Sequence, residues 1–358
     1  MHLQKVGFLC FLLLLLSTAA HAKIVFSSTR EGVPGIYVMD DDGSNQTLLT
    51  ESEKLRPRSC TWSRDGKHIL FKKSIRDAGR DEEGVWRVIS GSVLFLMNPD
   101  GTNIRQLTEN DGSSIGRTSF SPDGTSIVFN RIVRIDNKEK PSITVLNIET
   151  GKMKAIADIN ANFCDWSPDG KHIIFSKPLA VGGGGNTIWI MGADGHNPRP
   201  LVPEPPAGGV VIHRWKQRWS PDGKKIVFTQ REYTWEPIPN VGIALIDKAH
   251  RYMICDRNGE NIKRLQIPKD WYPVSIDWMD DGKSVVFCAE PGTPLNEPIP
   301  RGFVFPPANI YKYHIETHVI TQLTDDLGND GTVDWISDDV LPVSPRGKKK
   351  VTWGALKK

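Results

Sequence analysis

The strongest regularity along the chain is a ten-residue string in which an aromatic residue, a polar turn and an apolar run recur in one register. It reads WSRDGKHILF from Trp62, FSPDGTSIVF from Phe120, WSPDGKHIIF from Trp166, WSPDGKKIVF from Trp219 and WMDDGKSVVF from Trp278, always with nine residues from the first aromatic to the closing Phe. Where Pro is present it pre-sets φ, Asp tolerates the turn geometry, and Gly takes the positive φ that the turn demands. Each copy is therefore expected to form a tight hairpin, strands a and b. A second hairpin, strands c and d, follows: IYVMDDDG from Ile36, LFLMNPDG from Leu94, TVLNIETG from Thr144, IWIMGADG from Ile188, YMICDRNG from Tyr252 and YKYHIETH from Tyr311. Each runs on into a short strand such as QTLLT, IRQLT or ITQLT.

A repeating four-stranded antiparallel unit is a propeller blade. No segment carries a convincing 3.6-residue apolar period, so almost no helix is expected. Six c–d hairpins are present but only five complete a–b hairpins, and the missing halves lie at opposite ends of the sequence. Lys23-Ile24-Val25-Phe26 matches a b strand, and Val333-Asp334-Trp335-Ile336-Ser337 matches an a strand. Pairing them completes the sixth blade and removes the last free sheet edge. The expected fold is all-β: a six-bladed propeller of four-stranded antiparallel blades, closed by its N- and C-terminal strands.

The first residues stand outside this pattern. Lys5 opens a short basic region, Val6 to Leu16 is almost wholly apolar, and Ala20-His21-Ala22 supplies the small-x-small sequence of a signal-peptide cleavage site. Residues 1–22 are read as a signal peptide cleaved after Ala22, 23–345 as the propeller and 346–358 as a basic C-terminal tail. The apolar run is too short for a comfortable membrane span, and no comparable run follows. A periplasmic or secreted protein without a membrane span is the expectation. Cleavage would leave 336 residues, or 56 per blade.

Charge and cysteine content narrow the class. With a formal net charge of +3 and 24% charged residues, the balance argues against disorder and gives no reason to expect a nucleic-acid partner. Cys60, Cys164, Cys255 and Cys288 are too sparse for a disulfide framework. Cys60 and Cys164 each stand two residues before a repeat Trp, which suggests buried free thiols.

The WSPDGKxIxF and IYxMxxDGxxxxxLT strings resemble the repeat of TolB-type, WD40-like β-propellers, and the resemblance runs over the whole chain after residue 22. It implies a propeller fold and an exported protein. TolB itself belongs to the periplasmic Tol–Pal envelope system and carries an α/β domain before its propeller, whereas here the first propeller strand follows the signal directly. The repeat also resembles the propellers that cover the active sites of prolyl oligopeptidase and dipeptidyl peptidase IV relatives.

Several strings invite a chemical reading. Gly112-Ser113-Ser114-Ile115-Gly116 fits G-x-S-x-G, but a nucleophile elbow needs a strand before and a helix after. This string is expected in a d-to-a loop. Asp40-Asp41-Asp42-Gly43 is carboxylate-rich, yet its Gly is out of register for an EF-hand, and it occupies the turn position of NPDG and GADG. The histidines come from different blades without compact ligand spacing; His314 and His318 flank one c–d turn. No metal site, catalytic residue or cofactor is expected. The Gly182 to Gly185 run is followed by no helix start or Lys-Ser/Thr that would make a phosphate cradle. Trp62, Trp166, Trp219, Trp278 and Trp335 are expected to pack between blades.

Candidate binding residues lie on the loops. The a–b and c–d turns share one face and are uniformly tight. The b–c and d–a loops share the other, and from the closing Phe to strand c the separations are 10, 23, 15, 13, 24 and 24 residues. The long loops offer Arg76, Arg80, Trp86 and Arg87; Arg231, Tyr233 and Trp235; and Arg301, Phe303 and Phe305. The longest d–a loop adds His213 and Trp215. Aromatic and Arg residues on protruding loops are what interface anchors are made of, although insertions can also fold back and bury their own aromatics. The reading is a non-enzymatic scaffold for a protein, peptide or glycan. The alternatives are a polysaccharide lyase or hydrolase with a channel-mouth site, or an accessory subunit of a separate peptidase.

Overall fold

The computed structural model describes residues 23–337 except 52–56, 81–85, 137, 180–183, 206–208, 240–241, 280–281 and 300–302. The expected signal peptide, the basic tail and Arg301 lie outside the described residues. No helix occurs among those described.

The strands form six four-stranded antiparallel sheets. Blade 1 contains β1 (Lys23–Ser28), β2 (Gly35–Asp40) and β3 (Thr47–Glu51). Blade 2 contains β4 (Pro57–Trp62), β5 (Ile69–Arg80), β6 (Trp86–Met97) and β7 (Arg105–Gln106). Blade 3 contains β8 (Ser114–Phe120), β9 (Ser126–Ile135), β10 (Lys138–Asn147) and β11 (Met153–Ala157). Blade 4 contains β12 (Asn162–Trp166), β13 (His172–Pro178), β14 (Asn186–Gly192) and β15 (Arg199–Pro200). Blade 5 contains β16 (Val211–Trp219), β17 (Lys225–Ile238), β18 (Gly242–Asp256) and β19 (Lys263–Arg264). Blade 6 contains β20 (Tyr272–Trp278), β21 (Ser284–Glu290), β22 (Asn309–His314) and β23 (Ile320–Gln322). The last strand, β24 (Asp330–Ile336), returns to blade 1. It pairs antiparallel with β1, with Ile24 opposite Trp335 and Phe26 opposite Val333. The ring closes on the residues whose pattern predicted it.

The repeat turn is held by its own side chains. Ser63, Ser121, Ser167 and Ser220 each donate from Oγ to the Asp two residues on, at 2.6–2.8 Å. That Asp in turn accepts the backbone N–H two residues further along. Burial works against the charged form, but these bonds prevail and draw the Asp65, Asp123, Asp169 and Asp222 carboxyls below their ordinary range. Gly66, Gly124, Gly170 and Gly223 follow with φ between 65° and 73°, the region that favours glycine.

The core is divided among the blade interfaces, as it must be when each sheet packs face to face on the next. Trp62 sits with Val25 and Ile36 of blade 1 and with Ile69 and Phe71 of blade 2. Trp166, Trp219 and Trp278 occupy the equivalent places between blades 3 and 4, 4 and 5, and 5 and 6. Phe120 fills the blade 2–3 interface, and Trp335 lies against the blade 6–1 cluster. The aromatics are thus inter-blade packing, each contributing about 2 kcal/mol or more of burial. All four described cysteines are free and buried.

Three expected b–c loops are strands instead, and His213 and Trp215, expected on the longest d–a loop, lie in β16. The insertions after Phe71, Phe129 and Phe228 continue the ladder as long hairpins: β5 pairs with β6 out to Arg80–Trp86, β9 with β10 out to Ile135–Lys138, and β17 with β18 out to Ile238–Gly242. The reason lies in the alternation of sequences such as REYTWEPI and GIALID, which suits a ladder exposed on one side. Ser114 likewise opens strand β8 rather than lying in a loop, and no helix follows it. The Asp40 segment is a turn, closed by Gly43 N–H to Asp40 O at 3.0 Å and Asp40 N–H to Ser44 O at 2.9 Å.

Candidate functional site

Strand a of every blade lines the channel, and two of its positions carry the polar chemistry. The residue just before the blade aromatic is Thr61, Ser119, Asp165, Arg218, Asp277 or Asp334, and all six line a cavity of about 220 Å³ at the tight-turn end. Two residues earlier stand Ser59, Arg117, Phe163, Lys216, Ser275 and Thr332. Near this second position the ladder slips by one residue in blades 2 to 6. Ser59, Phe163 and Lys216 take positive φ there, as bulges that re-aim a side chain often require.

The first ring is tied up internally. Arg218 donates to Asp165 at 2.9 Å, lies 3.2 Å from Asp277 Oδ1 through Nε, and contacts Asp334 through Nη2. One guanidinium from blade 5 therefore joins blades 4, 6 and 1. The acids are engaged again on their other side. Asp334 Oδ2 accepts Trp62 N–H at 2.6 Å and Thr61 Oγ1 at 2.9 Å, and Asp165 Oδ2 accepts Trp219 N–H at 2.9 Å. Asp277 accepts Trp335 N–H at 3.3 Å, and Ser119 accepts Trp166 N–H at 3.1 Å. At four interfaces the residue before the aromatic latches the aromatic of the next blade. Burial opposes the charge of Arg218, but the three acids outweigh it and hold the guanidinium protonated above its ordinary value. Burial pushes the Asp277 carboxyl up, with Arg218 opposing and Asp334 reinforcing the shift.

The second ring is different. Arg117 is 8% exposed and, among the described residues, makes one hydrogen bond, from Nη2 to Val333 O at 3.3 Å. Burial, then Arg218, lowers its pKa to about 10. Lys216 donates to Pro273 O at 2.5 Å and lies near the Trp215 and Tyr272 rings; burial and then Arg117 lower its pKa to about 7.

The sequence-based candidates fall in three places. His213, Trp215, Arg231, Tyr233 and Trp235 come together on blade 5. His213 faces Arg231 across the ladder, its ring packs edge-on to Trp215 at 4.4 Å, and burial lowers its pKa to about 4. Arg231 forms a two-pronged pair with Asp247 at 2.5 and 2.8 Å and stacks over Tyr233. Trp215 and Tyr233 are buried, whereas Trp235 is 53% and its near neighbour Ile243 73% exposed. Phe303 and Phe305 meet edge-on at 5.0 Å in the blade 6 loop, and Phe305 is exposed. That loop touches blade 5 through Asn296 N–H to Asp247 O at 2.7 Å. Arg76, Arg80, Trp86 and Arg87 share the β5–β6 hairpin of blade 2, and their side chains lie outside the described residues. His314 and His318 do not converge on one site: His314 Nδ1 accepts from Thr317, and His318 pairs with the Tyr313 hydroxyl. Among the described residues no group of three His, Cys, Asp or Glu could hold a metal ion.

Sequence reasoning passed over Arg117, Lys216 and Arg218 and the channel acids. The signal was present: between constant repeat letters, the position before the aromatic changes from Thr and Ser to Asp and Arg.

No protein-family model matches the chain. Among solved structures, TolB from Acinetobacter baumannii superposes with a TM-score of 0.61 at 18% identity, over 88% of this chain and 66% of that one. The fold is that of a TolB-like β-propeller. Hydrazine synthase from Kuenenia stuttgartiensis gives a TM-score of 0.60 at 16% identity, over 90% of this chain and 47% of that one. A chain of the nidogen/laminin complex gives 0.56 at 10% identity, over 88% and 98%. This TolB-like propeller thus spans about two thirds of the TolB chain and about half of the hydrazine synthase chain, and at such identities the likeness is one of fold.

Proposed function

We propose that this TolB-like propeller is an exported binding scaffold that takes a protein, peptide or glycan partner on its long-loop face, with no chemistry of its own. The observation that carries this reading is the blade 5 hairpin. Its base is fixed by the Arg231–Asp247 pair and by buried Trp215 and Tyr233, while its outer part presents Trp235 and Ile243 to solvent. A rigid base under an exposed aromatic and aliphatic pair is the form of an interface anchor, because little ordering entropy opposes binding. The tight-turn end offers a weaker case for chemistry, since Arg218 occupies the space between its three acids.

The test is capture of partners from an envelope extract by wild type, by the double variant Trp235→Ala/Ile243→Ser, and by a protein with residues 75–91 shortened. Loss of a specific partner at unchanged thermal midpoint supports the reading. Equal capture by all three proteins contradicts it.

A further inference from the structure

At the long-loop mouth of the channel, a second cavity of about 350 Å³ is lined by Arg117, Lys72, Ser59, Thr332, Asn130 and Asn162 among others. Its size falls at the lower end of small-ligand pockets, about 300–1,000 Å³. The feature to be explained is Arg117. A guanidinium carries five N–H donors in a planar fork, and this one, more than nine-tenths buried, spends a single donor among the described residues, on a backbone carbonyl at 3.3 Å. Its ion-pairing range holds no carboxylate among the described residues, because the channel acids Asp165, Asp277 and Asp334 are gathered around Arg218. Buried cations are ordinarily paired or fully hydrogen-bonded.

Lys216, from the same ring of strand-a positions, adds a second cation in electrostatic range of Arg117 and likewise has no carboxylate within 4 Å among the described residues. Lys216 is not among the residues that line the cavity, but its charge adds to the cost of burying Arg117, and an anion beside Arg117 relieves that cost. The wall also supplies neutral groups for a ligand's hydroxyls. Asn130 donates to Asn162 at 3.4 Å while its own side-chain oxygen has no partner. Ser59 and Thr332 complete the rim.

We propose that this mouth is a binding site for the carboxylate group of a small ligand, with Arg117 as its anchor. The planar fork matches a carboxylate through two parallel hydrogen bonds. The charged side chains that line the cavity are Arg117 and Lys72, so its wall favours an anion. The site refines the scaffold reading by naming a ligand chemistry. The two fail separately, because one rests on Arg117 in the channel and the other on Trp235 at the hairpin.

The experiment is calorimetric titration of the protein with D-glucuronate and, in a second arm, with acetyl-alanyl-alanine; glucose and the dipeptide amide serve as neutral controls. The expected result is that at least one acid binds and its control does not, the binding arm telling a sugar acid from a chain-end carboxylate. Arg117→Gln then weakens binding roughly tenfold or more, as loss of a charge-assisted pair requires. Should that variant not fold, Arg117→Lys serves in its place: it keeps the charge but loses the two-pronged fork, and weaker binding is again expected. Binding of neither acid, equal binding of the neutral controls, or affinity unchanged in the folded variants would overturn the proposal.

Discussion

The two ends of the channel use charge in opposite ways, although the residues responsible lie two positions apart on the same strands. At the tight-turn end each acid is engaged twice, once by Arg218 and once by a neighbouring backbone N–H, hydroxyl or both. At the long-loop end Arg117 uses one donor and Lys216 another, both on carbonyls. Paired networks rigidify, whereas a buried cation with no carboxylate beside it is costly and calls for an explanation. Ring closure and ligand recognition are thereby assigned to opposite mouths.

The largest effect that tests the division is loss of closure. Deleting the chain from Asp330 onward removes β24, Asp334 and Trp335 together, and the expected outcome is loss of cooperative unfolding in a urea titration. An unchanged transition would show that the ring is not held at this blade. Next in size is Trp62→Ala, which empties the blade 1–2 interface and is expected to cost about 3–5 kcal/mol; chemical denaturation measures it. A normal midpoint with altered binding would instead make the repeat aromatics a ligand surface.

Titration sharpens the comparison on the opposite side. The folded-state pKa of Lys216 lies near 7, below the ordinary lysine value of 10.5, so the folded protein binds fewer protons than the unfolded chain between those limits. Stability associated with this group therefore rises as pH increases from about 7 towards 10.5. Lys216→Met removes that slope and stabilises the protein most at and below pH 7. Thermal midpoints of both proteins across this range are the check; parallel profiles would mean that Lys216 titrates normally. The smallest effect is expected at the hairpin: Trp235→Ala changes stability by no more than about 0.5 kcal/mol, as for surface substitutions elsewhere, and alters only binding.

The sequence carried the blades and the closure in full, since the nine-residue spacing and the two half-hairpins are local patterns with one geometric solution. It carried less of the site. REYTWEPI, interrupted by Pro237, reads equally as loop or as ladder until its partner strand is known, and pairing is not a local property. The burial of Trp215 and Tyr233 depends on what blade 5 packs against. Arg117 and Arg218 are both single Arg residues shortly before an aromatic. What separates them is that acids from blades 4, 6 and 1 converge on one and not on the other, a relation fixed only by the closed ring.

The most direct measurement is therefore the urea unfolding of Arg218→Gln beside Arg117→Gln. Removing Arg218 leaves three buried carboxylates without their cation and is predicted to cost about 3–5 kcal/mol. Removing Arg117 deletes a buried charge that no carboxylate pairs, and stability should hold or rise. The reverse order, or equal losses, would contradict the assignment of ring closure to one end of the channel and recognition to the other.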